Sequence, residues 1–403
     1  MAIATEADAI GDGRARRNVG VLFLAHAILG SQMPINIILG GLAGLHLAPD
    51  PALATLPISC VVLMSMFTAA PASLYMGRFG RKTGFLTGAV AGSLGGLLSA
   101  YSLIVGDFGL LLLGAGFTGI YQSFQGYYRF AAADTASPAF KPKAISWVLA
   151  GGLLAALIGP EVLTWTRDYF DPVPYAGAYA AAVLINLVGV MVLLFLDIPA
   201  PPRRVKGVRA GRPFGEILRQ PRVYVAIIVA MVTYSLMNLV MTSTPLAMVG
   251  CGFTADHAAD VVRWHAVAMF APSFFTGSII ARFGHVKVIA VGLVLLAGCG
   301  AVALSGIDLT EFYVALILLG IGWNFGFIGA TSLLASGHHP DEQAKVQGLN
   351  DFLVFGLVTI ASFSSGALLH AYGWYAVQYA MAPALMIAGA AIIWLSVGKR
   401  RTA

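Results

Sequence analysis

The sequence predicts an all-α membrane protein of twelve transmembrane helices, arranged as two pseudo-symmetric six-helix bundles, and three observations carry that expectation. Hydrophobic residues make up 58% of the 403 and charged residues only 10%, with a mean hydropathy of +0.82. A soluble domain carries about 25% charged residues, so this chain has too few to coat a surface in water. The charges are also clustered, and the runs between clusters are long enough to cross ~30 Å of hydrocarbon as helices. Finally, a short motif returns at a fixed offset: Arg78-Phe79-Gly80 reappears as Arg282-Phe283-Gly284, 204 positions later.

Residues 1–17 read as a polar tail ending in Arg14, Arg16 and Arg17. The apolar run that follows is too long for a signal-peptide core and lacks a small-residue cleavage site, so it reads as a retained first span. Apolar runs bounded by charge, Pro or Gly place the first six spans at 19–43, 56–76, 84–105, 109–130, 144–165 and 175–196. A second series follows at 223–247, 261–281, 286–305, 312–334, 346–368 and 375–397. The expected organisation is a bundle over 18–196, a connection over 197–222, a bundle over 223–398 and a tail at 399–403. The connection is rich in Pro, Arg and Gly, and within it Phe214–Tyr224 reads either as a short amphipathic surface helix or as a solvated linker.

An even number of spans puts both termini on one side, and the Lys and Arg count says which. Of the 24 cations, only Arg167 and Arg263 fall on the side away from the termini. Positive charge accumulates on cytoplasmic loops, so the termini are expected in the cytoplasm of a cell inner membrane. Location thus explains the +6 net charge without a nucleic-acid partner. Arg78, Arg81 and Lys82 close a tight turn between spans two and three, which Gly80 lets reverse; Arg282 and Gly284 repeat the arrangement. Cys60, Cys251 and Cys299 lie in or beside apolar runs without paired spacing, and read as small buried hydrophobes rather than a disulfide or metal framework.

The repeat extends beyond the turns. Leu111–Gly119 (LLLGAGFTG) echoes Leu316–Asn324 (LILLGIGWN), each on the fourth span of its half. Six spans repeated at a fixed offset mark a transporter built from two like halves around a midplane site. Over essentially its whole length the chain resembles the major facilitator superfamily (MFS). That family's signature between spans two and three runs Gly-x-Leu-x-Asp-Arg-x-Gly-Arg-Lys. Here Ser73 stands for the first Gly and Gly77 for the Asp, and then Arg78, Gly80, Arg81 and Lys82 match. The second copy keeps Gly277 but has Ala281 where the Asp would stand. In the family the carboxylate is thought to help latch the cytoplasmic side, so its loss weakens that role for these turns. The arginines are left to pair with Asp134 or with helix C-terminal carbonyls, or to act only as topology signals.

The resemblance implies that the first, fourth, seventh and tenth spans line a substrate cavity. Gln32 and Asn36 share a face of span one, near Gly30 and Pro34. On span four Gln122, Gln125 and Arg129 form one stripe, and Tyr121, Gln125 and Tyr128 a second. Tyr234, Asn238 and Thr242 run along span seven, while Trp323 and Asn324 sit among glycines in span ten. These residues read either as a substrate-binding set or as hydrogen-bonding glue between helices, at about 0.6 kcal/mol per contact. The Gly runs, including Gly88, Gly92, Gly95 and Gly96, read as close helix packing.

Ionisable residues at depth mark pathways by default. Asp351 is the leading candidate for carrying a proton, followed by Glu161, His26 and Arg129; the rival role for Asp351 is a structural partner of Arg78 or Lys345. His265 also falls inside a span. No nucleotide-binding loop, metal cluster, nucleophile elbow or long soluble module is legible, so the chain is expected to be neither an enzyme nor a receptor and to need no cofactor. A gradient-driven transporter remains, working as a monomer on a small molecule within the lipid bilayer. The polar set is mostly amides, hydroxyls and aromatic rings, which suits a neutral or weakly charged solute whose flat ring stacks on Tyr121, Tyr128 or Trp323. The sequence also resembles a bacterial branch that includes proposed riboflavin importers. The alternatives are a drug:proton antiporter, whose fifth-span motif Gly159-Pro160 echoes but Glu161 and Val162 break, and a membrane protein without transport activity.

Overall fold

The computed structural model describes residues 12–50, 53, 56–199, 212–339 and 341–401, and among these every regular element is a helix. Two broken helices open the chain: α1 (Gly13–Gly30) and α2 (Gln32–Leu47) meet at Ser31. Pro34 explains the break, because its ring clashes with the carbonyl four residues back, at Gly30. Ser31 Oγ then donates to the Ile28 carbonyl at 2.6 Å. There follow α3 (Leu56–Phe79), α4 (Arg81–Val105), α5 (Phe108–Gly126), α6 (Tyr128–Asp134), α7 (Lys141–Thr166) and α8 (Ala176–Leu193). Next come α9 (Phe214–Leu218), α10 (Pro221–Gly250), α11 (Ala255–Phe270), α12 (Ser273–Phe283) and α13 (His285–Ser305). The chain closes with α14 (Leu309–Ala335), α15 (Gln343–Tyr379) and α16 (Met381–Arg401), α15 being interrupted at Gly373, whose φ is 78°. Setting the short α9 aside, counting α1–α2, α5–α6 and α11–α12 as single broken traverses, and joining the end of α15 beyond Gly373 to α16 gives twelve spans among the described residues. Helix α9 covers only Phe214–Leu218 of the stretch Phe214–Tyr224, whose last residues, from Pro221, open α10 instead; Arg203, Arg204, Lys206 and Arg209 lie outside the described residues.

The helices are apolar on the outside and small on the inside. Helix α4 exposes Val90, Leu94, Leu97, Tyr101 and Ile104, and buries Gly84, Gly88, Gly92, Gly95, Ser99 and Ser102. In water so large an apolar face would drive association; in lipid it is solvated, and small residues let backbones approach. Gly95 shows why: a Cβ there would meet the Gly114 carbonyl at 2.9 Å.

Two compact units organise the chain. The first comprises the described residues within Met1–Ser137, Gly151–Val208 and Gln347–Phe352. In it the start of α15 lies against α3, with Gly348 next to Ser73 and Ala70. The second comprises the described residues within Pro138–Ala150, Arg209–Val346 and Leu353–Ala403. In it the start of α7 lies against α12: Ser146 Oγ accepts from the Gly277 amide at 2.9 Å and donates to the Ser273 carbonyl. Gly277 and Ser73 are the two copies of the same signature position, so the repeat persists in packing as well as in sequence.

The cysteines depart from expectation in one case. Cys299 is buried and Cys60 half-buried, but Cys251 is exposed, because it lies in the turn that ends α10.

Candidate functional site

In the second unit, α10, α11, α14 and α15 bring rings together. Trp323 stacks on Phe327 at 5.2 Å between centroids with an interplanar angle of 16°. Tyr234 lies 5.7 Å from Trp323 and 5.1 Å from Phe327. Phe270 and Phe355 complete the cluster, at 5.8 Å from Trp323 and 6.3 Å from Tyr234 respectively. Trp323 is 3% exposed, whereas Tyr234 and Asn238 on α10 and Phe270 on α11 are half-buried. Two polar atoms there, Trp323 Nε1 and Asn238 Oδ1, are buried with no hydrogen-bond partner among the described residues. Each is costly in a bilayer unless something else satisfies it.

The neighbouring candidates behave differently. Asn324 is fully engaged: Nδ2 donates to the Met269 carbonyl and Ser273 Oγ, both at 2.6 Å, and Oδ1 accepts from Thr276 at 2.6 Å. It ties α14 to α11 and α12. Thr242 bonds Ser365 at 3.1 Å and the Asn238 carbonyl.

Several amides and tyrosines of the first unit tie its helices to one another. Gln32 and Asn186 exchange reciprocal hydrogen bonds at 3.1 and 3.0 Å, locking α2 to α8. Tyr121 donates to the Leu29 carbonyl at 2.7 Å. Gln122 accepts from Ser65 at 3.5 Å. Asn36 lines a narrow crevice with Gly40, Val61, Ser99 and Tyr179. Gln125 is half-buried and its amide approaches Gly30. Tyr128 packs edge-on against Phe85 and His26, at 4.6 and 6.4 Å.

Deeper in this unit, Arg129 and Asp351 form a salt bridge with side chains 7% and 0% exposed. Asn350 Nδ2 adds a hydrogen bond to the same carboxylate oxygen at 2.8 Å, and Asp351 Oδ2 has no partner among the described residues. The partner of Asp351 is therefore Arg129, not the Arg78 or Lys345 weighed from sequence. Glu161 is exposed. His265 is buried in α11 with Nδ1 at 2.8 Å from the Leu316 carbonyl.

The two Arg-Phe-Gly turns share one geometry. Gly80 and Gly284 cap α4 and α13 with φ of 90° and 85°, which favours glycine. Arg78 and Arg282 each lie over the following Phe ring, at 5.2 and 5.3 Å. Arg81 bonds Asp134 at 2.9 Å and Gln347 at 2.7 Å, and Lys82 donates to the Leu194 carbonyl at the end of α8. In the second copy His285 replaces Arg81 and faces Ser332 at 3.1 Å.

Outside the spans, Glu342 accepts from Arg212 Nε and Nη2 at 2.6 and 2.7 Å and from the His339 amide at 3.0 Å. The Arg212 guanidinium holds this buried carboxyl down at about 2.

Sequence reasoning missed Asn186, Gln347 and the phenylalanines 270, 327 and 355. For Asn186 a signal existed, since a lone amide in an apolar span has to find a partner.

Comparison with known proteins agrees with this architecture. The chain is 45% identical over 370 residues to the riboflavin transporter RfnT of Brucella anthropi, covering 92% of this chain and 93% of that one. It is 26% identical to the MFS-type transporter YddS of Bacillus subtilis, over 88% of this chain and 84% of that one. Among solved structures, human MFSD10 (TETRAN), an organic anion transporter, superimposes with a TM-score of 0.76 at 14% identity, over 94% of this chain and 99% of that one. The E. coli fucose:proton symporter FucP gives 0.72 at 16% identity, over 94% and 97%. A sequence profile of the Major Facilitator Superfamily matches residues 20–363. With the twelve spans and the duplicated Arg-Phe-Gly turns, that match identifies the chain as a member of the major facilitator superfamily of membrane transporters.

Proposed function

We propose that this chain is a secondary transporter that carries riboflavin, or a neutral heteroaromatic of the same shape, through the membrane by alternating access. The observation that carries the reading is the cluster of Tyr234, Trp323, Phe327, Phe355 and Phe270, of which Tyr234 and Phe270 are half-buried. Stacking on such rings favours a planar solute, worth about 0.5–1.5 kcal/mol per aromatic pair beyond the area buried. The similarity to RfnT supports the same solute. Asp351, held by Arg129, is the group proposed to take up and release the coupling proton, and the distribution of Lys and Arg supports cytoplasmic termini.

Titrating the purified protein with riboflavin and following flavin fluorescence tests the reading. Saturable quenching, weakened in Tyr234→Ala, is expected; no quenching at high micromolar protein contradicts it.

A further inference from the structure

A flavin ring has two faces and an edge, and the aromatic cluster accounts only for the faces. We propose that Trp323 and Asn238 read the imide edge of that ring: the Trp323 indole N–H donates to a ring carbonyl, and Asn238 Oδ1 accepts from the ring N3–H. The inference rests on the flavin reading above and adds to it which chemical edge the site selects.

Three observations carry it. First, both atoms are buried and without partners among the described residues, one a donor and the other an acceptor. An imide presents the complement, an N–H flanked by carbonyl oxygens, so one ligand edge can satisfy both.

Second, helix register puts the two side chains at one level. Gly337 lies against Val223 and Gly326 against Thr233, so α10 and α14 run antiparallel. Five residues beyond Thr233, at ~1.5 Å of rise each, Asn238 comes level with the turn of α14 that carries Trp323. Tyr234, one turn before Asn238 on the same face, already touches Trp323.

Third, two neighbouring polar side chains are committed elsewhere. Asn324 gives its whole amide to Met269, Ser273 and Thr276. Thr242 is bound to Ser365 and the Asn238 carbonyl. Recognition by the edge also defines the class accepted: planar heteroaromatics with an unsubstituted imide, whatever the chain attached to the central ring.

The test compares lumiflavin with N3-methyl-lumiflavin, by fluorescence quenching on the purified full chain. A lost hydrogen bond at a buried acceptor predicts that methylation weakens binding about tenfold. Asn238→Leu should weaken lumiflavin by a similar factor and abolish discrimination between the two ligands. Trp323→Phe, which keeps a ring and removes the N–H, should weaken both ligands alike and retain discrimination. Equal affinity of the unaltered protein for the two flavins overturns the inference while leaving flavin transport standing, and this arm needs no variant to fold. Failure of the unaltered protein to bind riboflavin or either lumiflavin overturns both readings together.

Discussion

Arg129, on the short helix α6, is salt-bridged to Asp351 on α15, and neither side chain is more than 7% exposed. One carboxylate oxygen takes the guanidinium and the Asn350 amide; the other faces no partner among the described residues. Removing one member of a buried pair strands the other as an uncompensated charge, at a cost of about 3–5 kcal/mol, whereas removing both together is far milder.

Because Asp351 is the proposed carrier of the coupling proton, replacing it by Asn should abolish pH-driven accumulation while the protein that remains folded still binds solute. Vesicle uptake with an imposed pH gradient, set beside binding to the purified variant, separates the two effects. Accumulation at the unaltered rate would remove Asp351 from the mechanism.

The same pair makes a stability prediction. Arg129→Met should lower the melting temperature more than Arg129→Met combined with Asp351→Leu, because the double change leaves no buried charge. Thermal unfolding of the three proteins in one detergent reads this directly.

Gln32 and Asn186 offer a neutral counterpart. Each satisfies the other, so Asn186→Leu should destabilise by about 1–3 kcal/mol through the stranded Gln32 amide, and adding Gln32→Leu should restore part of that loss. If the double variant is less stable than either single one, the pair is not the closed unit described here.

Asn324 should act on stability rather than on solute. Asn324→Leu leaves buried groups on Thr276, Ser273 and Met269 without their amide, at about 1–3 kcal/mol for each left unsatisfied. The expected result is a lowered melting temperature with riboflavin affinity unchanged in the protein that remains folded.

Glu342 gives a pH dependence with a definite sign. Its folded value, about 2, lies below the unfolded value of about 4.3. The Arg212 pair therefore contributes fully above the unfolded value, and the contribution is lost as pH falls toward the folded one. Relative to Glu342→Gln, the unaltered protein should be clearly more stable at pH 7, and the gap should narrow between pH 4 and pH 2.

Much of the fold was legible because a bilayer constrains sequence strongly. Span lengths and the break near Pro34 follow from hydrocarbon thickness and from proline chemistry, whereas the break between α11 and α12, beside Pro272, falls inside a stretch read as one span over 261–281. The Arg-Phe-Gly turns were partly legible: Arg81 meets Asp134, one of the partners weighed for the arginines, whereas the bond from Lys82 to a helix-terminal carbonyl was not anticipated. What the sequence could not supply was pairing across distant positions. Nothing local says that Gln32 faces Asn186 or that Arg129 meets Asp351 222 residues later. The aromatic cluster was half legible for a related reason. Trp323 and Tyr234 stand out as polar-tipped rings in apolar spans, but Phe270, Phe327 and Phe355 are indistinguishable by type from lipid-facing phenylalanines until their helices are packed.

The most direct measurement is riboflavin uptake by the reconstituted protein, in vesicles with and without an inward proton gradient. The account predicts accumulation above that of protein-free vesicles, driven by the gradient and lost in Asp351→Asn. Uptake indistinguishable from protein-free vesicles, with the gradient present and the protein folded, would contradict it.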